Sequence, residues 1–284
     1  MTLSQRSRRR PPPRPTVSSW ILIGLSIGIS VTISITLDAI LLGSGQRIPT
    51  EIIVAALLFN VTVVLFSAVG GVIEWHRPGH TIGRLLMLGG SLYAYLGLVW
   101  LTGEMVRPLL DPTLYRVFSD AGGILSWVGV ALIVGWIPLL FPTGRLPSPR
   151  WRVPTAALGL VFGGSLALLA TQPGLDASAT PTQEALVTAT SAAMLGFVIL
   201  AVAAVITRSR RGDEVERLQI RWFGAAIAIC ALGAIGAVLE SSIRPDDGPL
   251  ATTLVLNGGT LANPISIGVA VLRYSLFDQD RINS

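Results

Sequence analysis

The sequence contains no lysine, one cysteine and two histidines. The absence of lysine excludes a P-loop of the Walker type and a Schiff-base enzyme, because both depend on that side chain. The single cysteine, Cys230, lies in an apolar run, so it forms neither an internal disulfide nor a thiolate metal site. We expect Cys230 to be a small buried hydrophobe. The residue types that hold common cofactors are therefore scarce, and we expect no cofactor.

Charged residues are also scarce. They make up 13% of the chain, about half of the roughly 25% found in soluble domains, while 51% of the residues are hydrophobic. The mean hydropathy of +0.65 indicates a protein embedded in a lipid bilayer. The net charge of +5 comes from arginines in short clusters between apolar runs, and these clusters do not form one basic face. Nucleic acid is therefore not an expected partner.

The apolar runs are each close to the roughly 20 residues that a helix needs to cross a bilayer. They predict an all-α, polytopic bundle of eight transmembrane helices at 20–42, 52–73, 85–103, 122–141, 153–171, 186–206, 222–240 and 250–271. Within the first run, residues 30–36 alternate between polar and apolar side chains as a strand would. The run is about twice as long as the roughly 9–11 residues of a barrel strand, so a helix is predicted there too.

Arginine also predicts the orientation of the bundle. The two terminal tails and alternate connections carry 17 of the 21 arginines, whereas the opposite connections carry only four. Because basic residues stay on the cytoplasmic side, we predict that both termini are cytoplasmic and that the protein lies in the cell's inner membrane. Residues 1–17 are then a disordered basic tail, 18–272 the membrane domain and 273–284 a cytoplasmic juxtamembrane tail.

Two local patterns predict how the chain meets the lipid and itself. The apolar and aromatic residues of 105–121 predict a short helix lying at the headgroups. The small-residue spacings Gly24-x3-Gly28 and Gly159-x3-Gly163 favour close helix contact inside the bundle, with dimerisation as the alternative.

The sequence has no recognisable catalytic or metal site. His76 and His80 have the spacing of two metal ligands on a helix, but the intervening Pro78-Gly79 breaks a helix. We therefore interpret this segment as a solvated turn. The HExxH signature of zinc proteases is missing, and neither histidine lies within a span, where it could activate a serine. We expect no catalytic residue, no metal ligand and no enzymatic activity.

Four polar residues in or next to the predicted spans are candidates for a functional or ligand-binding role: Asn60, Glu104, Asn257 and Asn263. Polar side chains are costly in the bilayer and often line substrate or ion pathways. Hydrogen bonding between helices is the alternative explanation for each of them. A transporter would place such residues in broken helices of two related halves, and no internal repeat relates these positions.

Four segments on the predicted cytoplasmic side match one protein family in order and spacing. They are RPGHTIGRLL at 77–86, LFPTGRLPSPRW at 140–151, ERLQIRW at 216–222 and AVLRYSLFDQDR at 270–281. Over about residues 50–284 the chain resembles the multi-pass sensor region at the N-terminus of bacterial two-component histidine kinases, of the actinobacterial type. One departure is Arg84, which stands where that family usually has an aromatic residue. The resemblance implies a membrane module that senses a signal or modulates a partner.

In that family the last of these segments leads to a dimerisation helix with a phosphoacceptor histidine and then to an ATP-binding domain. Neither follows in this sequence, so the resemblance implies no kinase activity for this chain. It implies a membrane kinase or a second copy of the chain as partner. The residues expected to present an output surface to that partner are Arg273, Tyr274, Phe277, Asp278, Asp280 and Arg281.

Two further functions are compatible with the sequence. The first is a small-molecule transporter or binding protein, to which the polar residues of the spans would belong. The second is a sensor kinase that is truncated or split from its catalytic half.

Overall fold

The computed structural model describes residues 17–43, 50–105, 111–172, 180–212, 214–243 and 259–271. Every regular element within these ranges is helical, and none of them is a strand. The helices are α1 (Val17–Gly43), α2 (Thr50–His76), α3 (Thr81–Met105), α4 (Pro112–Ala131), α5 (Ile137–Leu140), α6 (Arg152–Leu169), α7 (Pro181–Arg211), α8 (Glu214–Ile243) and α9 (Gly259–Val271). A π-helical turn, Leu132–Trp136, joins α4 to α5, and a 3-10 turn, Pro149–Trp151, precedes α6.

Each predicted span overlaps a helix, with α4, the π-helical turn and α5 together covering the fourth. Four stretches of the described residues are long and apolar enough to cross a membrane: Leu57–His76, Tyr115–Leu140, Pro149–Leu169 and Pro181–Arg211. Shorter apolar helices lie at Val17–Thr32 and in α9. The prediction of an all-α bundle is confirmed, and four stretches have the length and hydropathy of membrane spans. The eight crossings and the side on which the termini lie stay predictions.

The first helix packs on α2 and α3 through a stripe of buried serines. Ser26 Oγ donates to the carbonyl of Met87 and lies 2.9 Å from the hydroxyl of Ser91. One turn further along, the Ser30 and Ser67 hydroxyls are 2.7 Å apart. Such bonds satisfy polar groups that neither lipid nor an apolar core can. The alternating residues 30–36 are thus helical, as predicted, because a helix places every fourth serine on one face.

Glycines allow α2, α3 and α4 to approach closely. A Cβ built on Gly70 would lie 2.6 Å from the carbonyl oxygen of Gly83, and one on Gly129 would lie 2.5 Å from the Tyr93 nitrogen. The glycines predicted to make such contacts do not. Gly24, Gly28 and Gly163 have nothing within 4 Å of that position, and Gly159 has only Trp136 at 3.9 Å. Among the described residues, the prediction of close contact inside the bundle is therefore wrong for these glycines, whereas the alternative of dimerisation stays a prediction.

Pro138 explains the π-helical turn before α5. Proline has no N–H to donate to the carbonyl four residues earlier, and its ring would collide with that carbonyl in a regular helix. In the wider turn, the Ile137 N–H instead donates to the carbonyl of Leu132. The helix can therefore continue to Leu140, where the turn at 141–148 begins.

The prediction of a separate short helix at 105–121 is wrong for the part that the structure describes. Residues 112–121 form the first half of α4, and Tyr115 is buried rather than turned to the headgroups. The helix α4 packs against α3 and begins ten residues before the predicted span at 122–141.

Two apolar clusters lie in the described part of the core. The larger joins α2, α3, α5, α8 and α9 around Phe66, Ile73, Ile82, Leu86, Ile137, Phe141, Phe223, Ile267 and Ala270. The smaller joins α4, α6 and α7 around Phe162, Met194 and Phe197. In the larger cluster, the end of α9 is packed among the helix ends that flank the turns at 77–80 and 141–148.

Replacing Gly129 by alanine is expected to destabilise the bundle, because the added Cβ would meet the backbone of α3 at Tyr93. We expect the free energy of unfolding to fall by about 1–3 kcal/mol, as in other overpacked cores. The measurement is the thermal unfolding midpoint of the purified protein in detergent.

Gly163→Ala is the matched control, since it adds the same methyl group where nothing lies within 4 Å. Its stability is expected to stay unchanged or to rise by up to about 1 kcal/mol from better helix propensity. Equal losses of stability in the two variants would contradict the close contact between α3 and α4.

Candidate functional site

The turn at 77–80 is closed by a buried carboxylate. Gly79 has φ +84°, a left-handed conformation that glycine adopts without strain. In this conformation its N–H donates to both carboxylate oxygens of Glu74, at 3.0 and 3.1 Å. The predicted break of the helix at Pro78-Gly79 is confirmed, because α2 ends at His76 and α3 begins at Thr81.

Glu74 also joins three helices. Its side chain is fully buried and accepts a hydrogen bond from Ser19 Oγ of α1 at 2.7 Å. On its other side lies the Arg84 guanidinium of α3, with Nη2 at 3.2 Å. A buried carboxylate is tolerated only when donors replace its lost hydration. Glu74 has such donors from α1, the turn and α3, so it holds the three together.

The two histidines on either side of Pro78-Gly79 have different surroundings. His76 is exposed, and its Nδ1 lies 2.9 Å from the carbonyl oxygen of Val72. His80 is partly buried, and burial together with the nearby Arg77 lowers its pKa below the usual value, against an opposing effect of Glu74. These surroundings therefore favour the neutral form of the His80 imidazole. The described part of the chain holds no cluster of three His, Cys, Asp or Glu side chains suited to a metal.

The turn at 141–148 is held by a buried cation. Arg208, near the end of α7, is 6% exposed. Its guanidinium donates to the carbonyl oxygens of Phe141 and Arg145. Gly144, with φ +74°, provides the left-handed residue of this turn. The arginine thus satisfies backbone acceptors that a tight turn leaves without a helical partner.

The two turns contact each other. A Cβ built on Gly144 would lie 3.0 Å from the Cβ of Thr81, the first residue of α3. Phe141 packs against Phe223 of α8 with ring centroids 4.5 Å apart. We call this region, formed by residues 73–84, 137–152, 204–212, 214–223 and 266–271, the basic end of the bundle. It brings together three of the arginine clusters that are separate in the sequence.

The last described helix is tied to the basic end. Gln219 Nε2 of α8 donates to the carbonyl oxygen of Ala270 at 2.8 Å. Ala270 and Val271 are buried in the same cluster as Phe141 and Phe223. Two residues before Ala270 in α9, a Cβ built on Gly268 would lie 3.0 Å from a side-chain atom of Val69 in α2. The end of α9 therefore contacts both helices and turns of the basic end.

The predicted site residues lie elsewhere or outside the described residues. Asn60 is buried in α2 and Asn263 is half-buried in α9, and both lie outside the basic end. Glu104 belongs to α3, but its side chain lies outside the description. Also outside it are Asn257, Arg273, Tyr274, Phe277, Asp278, Asp280 and Arg281.

Sequence reasoning missed the two buried charges, although their spacing carries a signal. Arg208 follows the buried Met194 and Ala201 at intervals of seven residues, so it lies on the buried face of α7. On α2, Glu74 follows the buried Ser67 by seven residues and the buried Gly70 by four, so it too lies on the buried face. The helical period thus distinguishes the buried Arg208 from the exposed Arg210 and Arg211. A count of arginines in this segment does not.

Replacing Glu74 by glutamine is expected to lower stability, since the neutral amide accepts weaker bonds from Ser19, Gly79 and Arg84. Arg84 is half-exposed, so its freed charge reaches water and limits the loss. We expect a decrease of about 1–3 kcal/mol in the free energy of unfolding. Thermal unfolding in detergent measures it.

Glu184→Gln makes the same change at an exposed position in the first turn of α7 and is the control. Its effect is expected to stay below about 1 kcal/mol, the usual limit of a helix-dipole contribution at the surface. If Glu74→Gln were as stable as this control, the carboxylate would not hold α1, α2 and α3 together.

No protein-family model matches this chain, and no curated protein and no solved structure is significantly similar to it. The resemblance to the sensor region of a histidine kinase therefore stays a prediction carried by the four sequence segments. Three of those segments, 77–86, 140–151 and 216–222, lie at or next to the basic end, and the fourth begins there at Ala270.

Proposed function

We propose that this chain is an eight-span protein of the cell's inner membrane that senses a signal or modulates a partner and has no catalytic activity of its own. Both termini and the basic end face the cytoplasm in this proposal. The grouping of the turns at 77–80 and 141–148 with the end of α7 supports it. Basic residues that meet at one end of a bundle are those that positive-inside topology would retain in the cytoplasm.

The observation that carries the functional part is the bond from Gln219 to the carbonyl of Ala270. It lies directly before the predicted juxtamembrane tail. Since Ala270 and Val271 pack with Phe141 and Phe223, a shift of the turn at 141–148 or of α8 would displace the end of α9. A packed core transmits such shifts rather than absorbing them. In our proposal the tail carries that displacement to a partner.

The residues of the tail suit a contact near the membrane surface. Aromatic rings such as those of Tyr274 and Phe277 favour the headgroup level. Asp278 and Asp280 are repelled by anionic lipid and favour the cytoplasm. The partner that we propose is a membrane kinase with a matching membrane region, or a second copy of this chain.

The topology predicts opposite sides for two introduced cysteines. In a Cys230→Ala background, Ser209→Cys is expected to react only from the cytoplasmic side, because it lies in the last turn of α7, at the basic end of the bundle. Ser178→Cys, in the connection before α7, is expected to react only from the outside. The measurement is labelling of intact cells and inverted vesicles with a membrane-impermeant thiol reagent. Labelling of both cysteines from the same side would refute the eight-span topology.

The proposed transmission from the end of α9 to a partner is tested by crosslinking. A photoreactive amino acid replaces Phe277 in the full chain, and native membranes are irradiated. We expect an adduct with a membrane kinase or with a second copy, identified by mass spectrometry. Gln219→Leu removes the hydrogen bond to the carbonyl of Ala270. We expect the adduct yield to fall about fivefold, the factor that corresponds to losing one hydrogen bond of roughly 1 kcal/mol.

Gln183→Leu is the control, because it also removes a hydrogen-bonded amide, but at the opposite end of α7, where Gln183 completes the capping box with Thr180. Its adduct yield is expected to match that of the unchanged chain once the yields are normalised to folded protein. Adducts with lipid alone would contradict a partner at the tail. Equal losses in the two variants would contradict transmission through Ala270.

A further inference from the structure

A cleft of about 590 Å³ opens at the basic end, between the segment 143–151 and the last turn of α7. It lies beside the turn at 141–148. The bonds from the buried Arg208 to the carbonyls of Phe141 and Arg145 hold that turn in place, and with it one wall of the cleft. The bonds that shape the cleft are different from the bond between Gln219 and Ala270.

The cleft is lined by positive charge. Arg145, Arg208 and Arg211 contribute to its walls, and no acidic side chain among the described residues does. Arg208 is nearly buried and donates to neutral carbonyl oxygens, while Arg145 and Arg211 are exposed. Charge of one sign in a concave site of lowered dielectric raises the local concentration of anions.

Neutral donors lie beside these charges. Ser148 and Thr143 line the cleft, and Ser148 precedes the 3-10 turn that leads into α6. Ser148 occupies the capping position in an extended conformation, but its hydroxyl makes no capping bond. The start of the helical stretch Pro149–Leu169 therefore presents its positive dipole end and a hydroxyl at the cleft. This combination of donors is typical of a phosphate site.

The same cleft has an apolar wall. Trp151 and Leu146 contribute to it. Directly beyond Trp151, α6 carries exposed apolar side chains, with Val153 75% and Leu160 77% exposed. A free phosphate would use only the polar part of this arrangement. A phospholipid would use both parts, with its phosphate in the cleft and its acyl chains along α6.

We propose that this cleft binds the phosphate group of an anionic phospholipid. Arg145 and Arg211 contact the phosphate oxygens, and Ser148 donates to them from the start of α6. Arg208 keeps its bonds to the carbonyls of Phe141 and Arg145 and adds its positive charge to the wall of the cleft. The bound lipid joins the end of α7 to the start of α6 and stabilises the turn at 141–148.

The test measures binding of phosphatidylglycerol to the purified full chain by native mass spectrometry. Arg145→Gln/Arg211→Gln removes the two exposed charges of the cleft and spares Arg208. We expect the affinity for phosphatidylglycerol to fall about tenfold or more, since a single charge-assisted hydrogen bond is already worth about one tenfold step.

Arg150→Gln/Arg210→Gln is the matched control. It removes the same charge from neighbouring exposed positions that do not line the cleft. Its affinity is expected to fall by less than about threefold, as for surface charges screened by salt. Equal losses in the two double variants would show attraction by diffuse surface charge and overturn the proposal. If the first double variant fails to fold, Arg211→Gln against Arg210→Gln gives the same comparison with one charge each.

A competition experiment distinguishes the lipid from a free phosphate. The unchanged chain, loaded with phosphatidylglycerol, is titrated with inorganic phosphate in the same detergent. Retention of the lipid is the expected result, because inorganic phosphate makes no contact with Trp151 or with the exposed face of α6. Displacement at equal concentration would overturn the assignment to a lipid.

Discussion

Arg208 extends from the last turn of α7 into the turn at 141–148, where its guanidinium donates to the carbonyls of Phe141 and Arg145. The turn at 77–80 has the complementary arrangement, since Glu74 accepts from the N–H of Gly79. A tight turn leaves backbone groups without helical partners, and a buried ion needs partners to replace water. Each turn and its ion therefore satisfy one another, and the packing of the basic end depends on both.

The rest of that end is positioned by these two bonds. Because Arg208 holds Phe141, the Phe141 ring packs on Phe223 of α8 and closes the larger apolar cluster. The end of α9 is a member of the same cluster. The basic end thus joins the ends of several helices, and the end of α9 packs among them. This packing is the physical basis for the proposed output through the tail.

Much of the architecture follows from the sequence because it is a consequence of hydropathy. Apolar runs of bilayer length predict helices, since backbone polar groups in lipid must pair within the segment. The same argument assigns residues 30–36 to a helix despite their alternation. Proline and glycine at 78–79 predict the end of α2, because neither suits a helix interior. Hydropathy and helix-breaking residues are local properties. A helix and its end can therefore be predicted from one segment of the sequence.

Tertiary structure decided which side chains of those helices face one another. Gly129 and Gly163 look alike in the sequence, yet only Gly129 meets another backbone, because the rotation of each helix is set by its neighbours. Glu74 and Arg208 belong to sequence patterns that also describe exposed charges. Their partners, Ser19 and Phe141, are more than fifty residues away in the chain. The sequence alone determined the helices and their order, whereas the basic end exists only where distant helix ends meet.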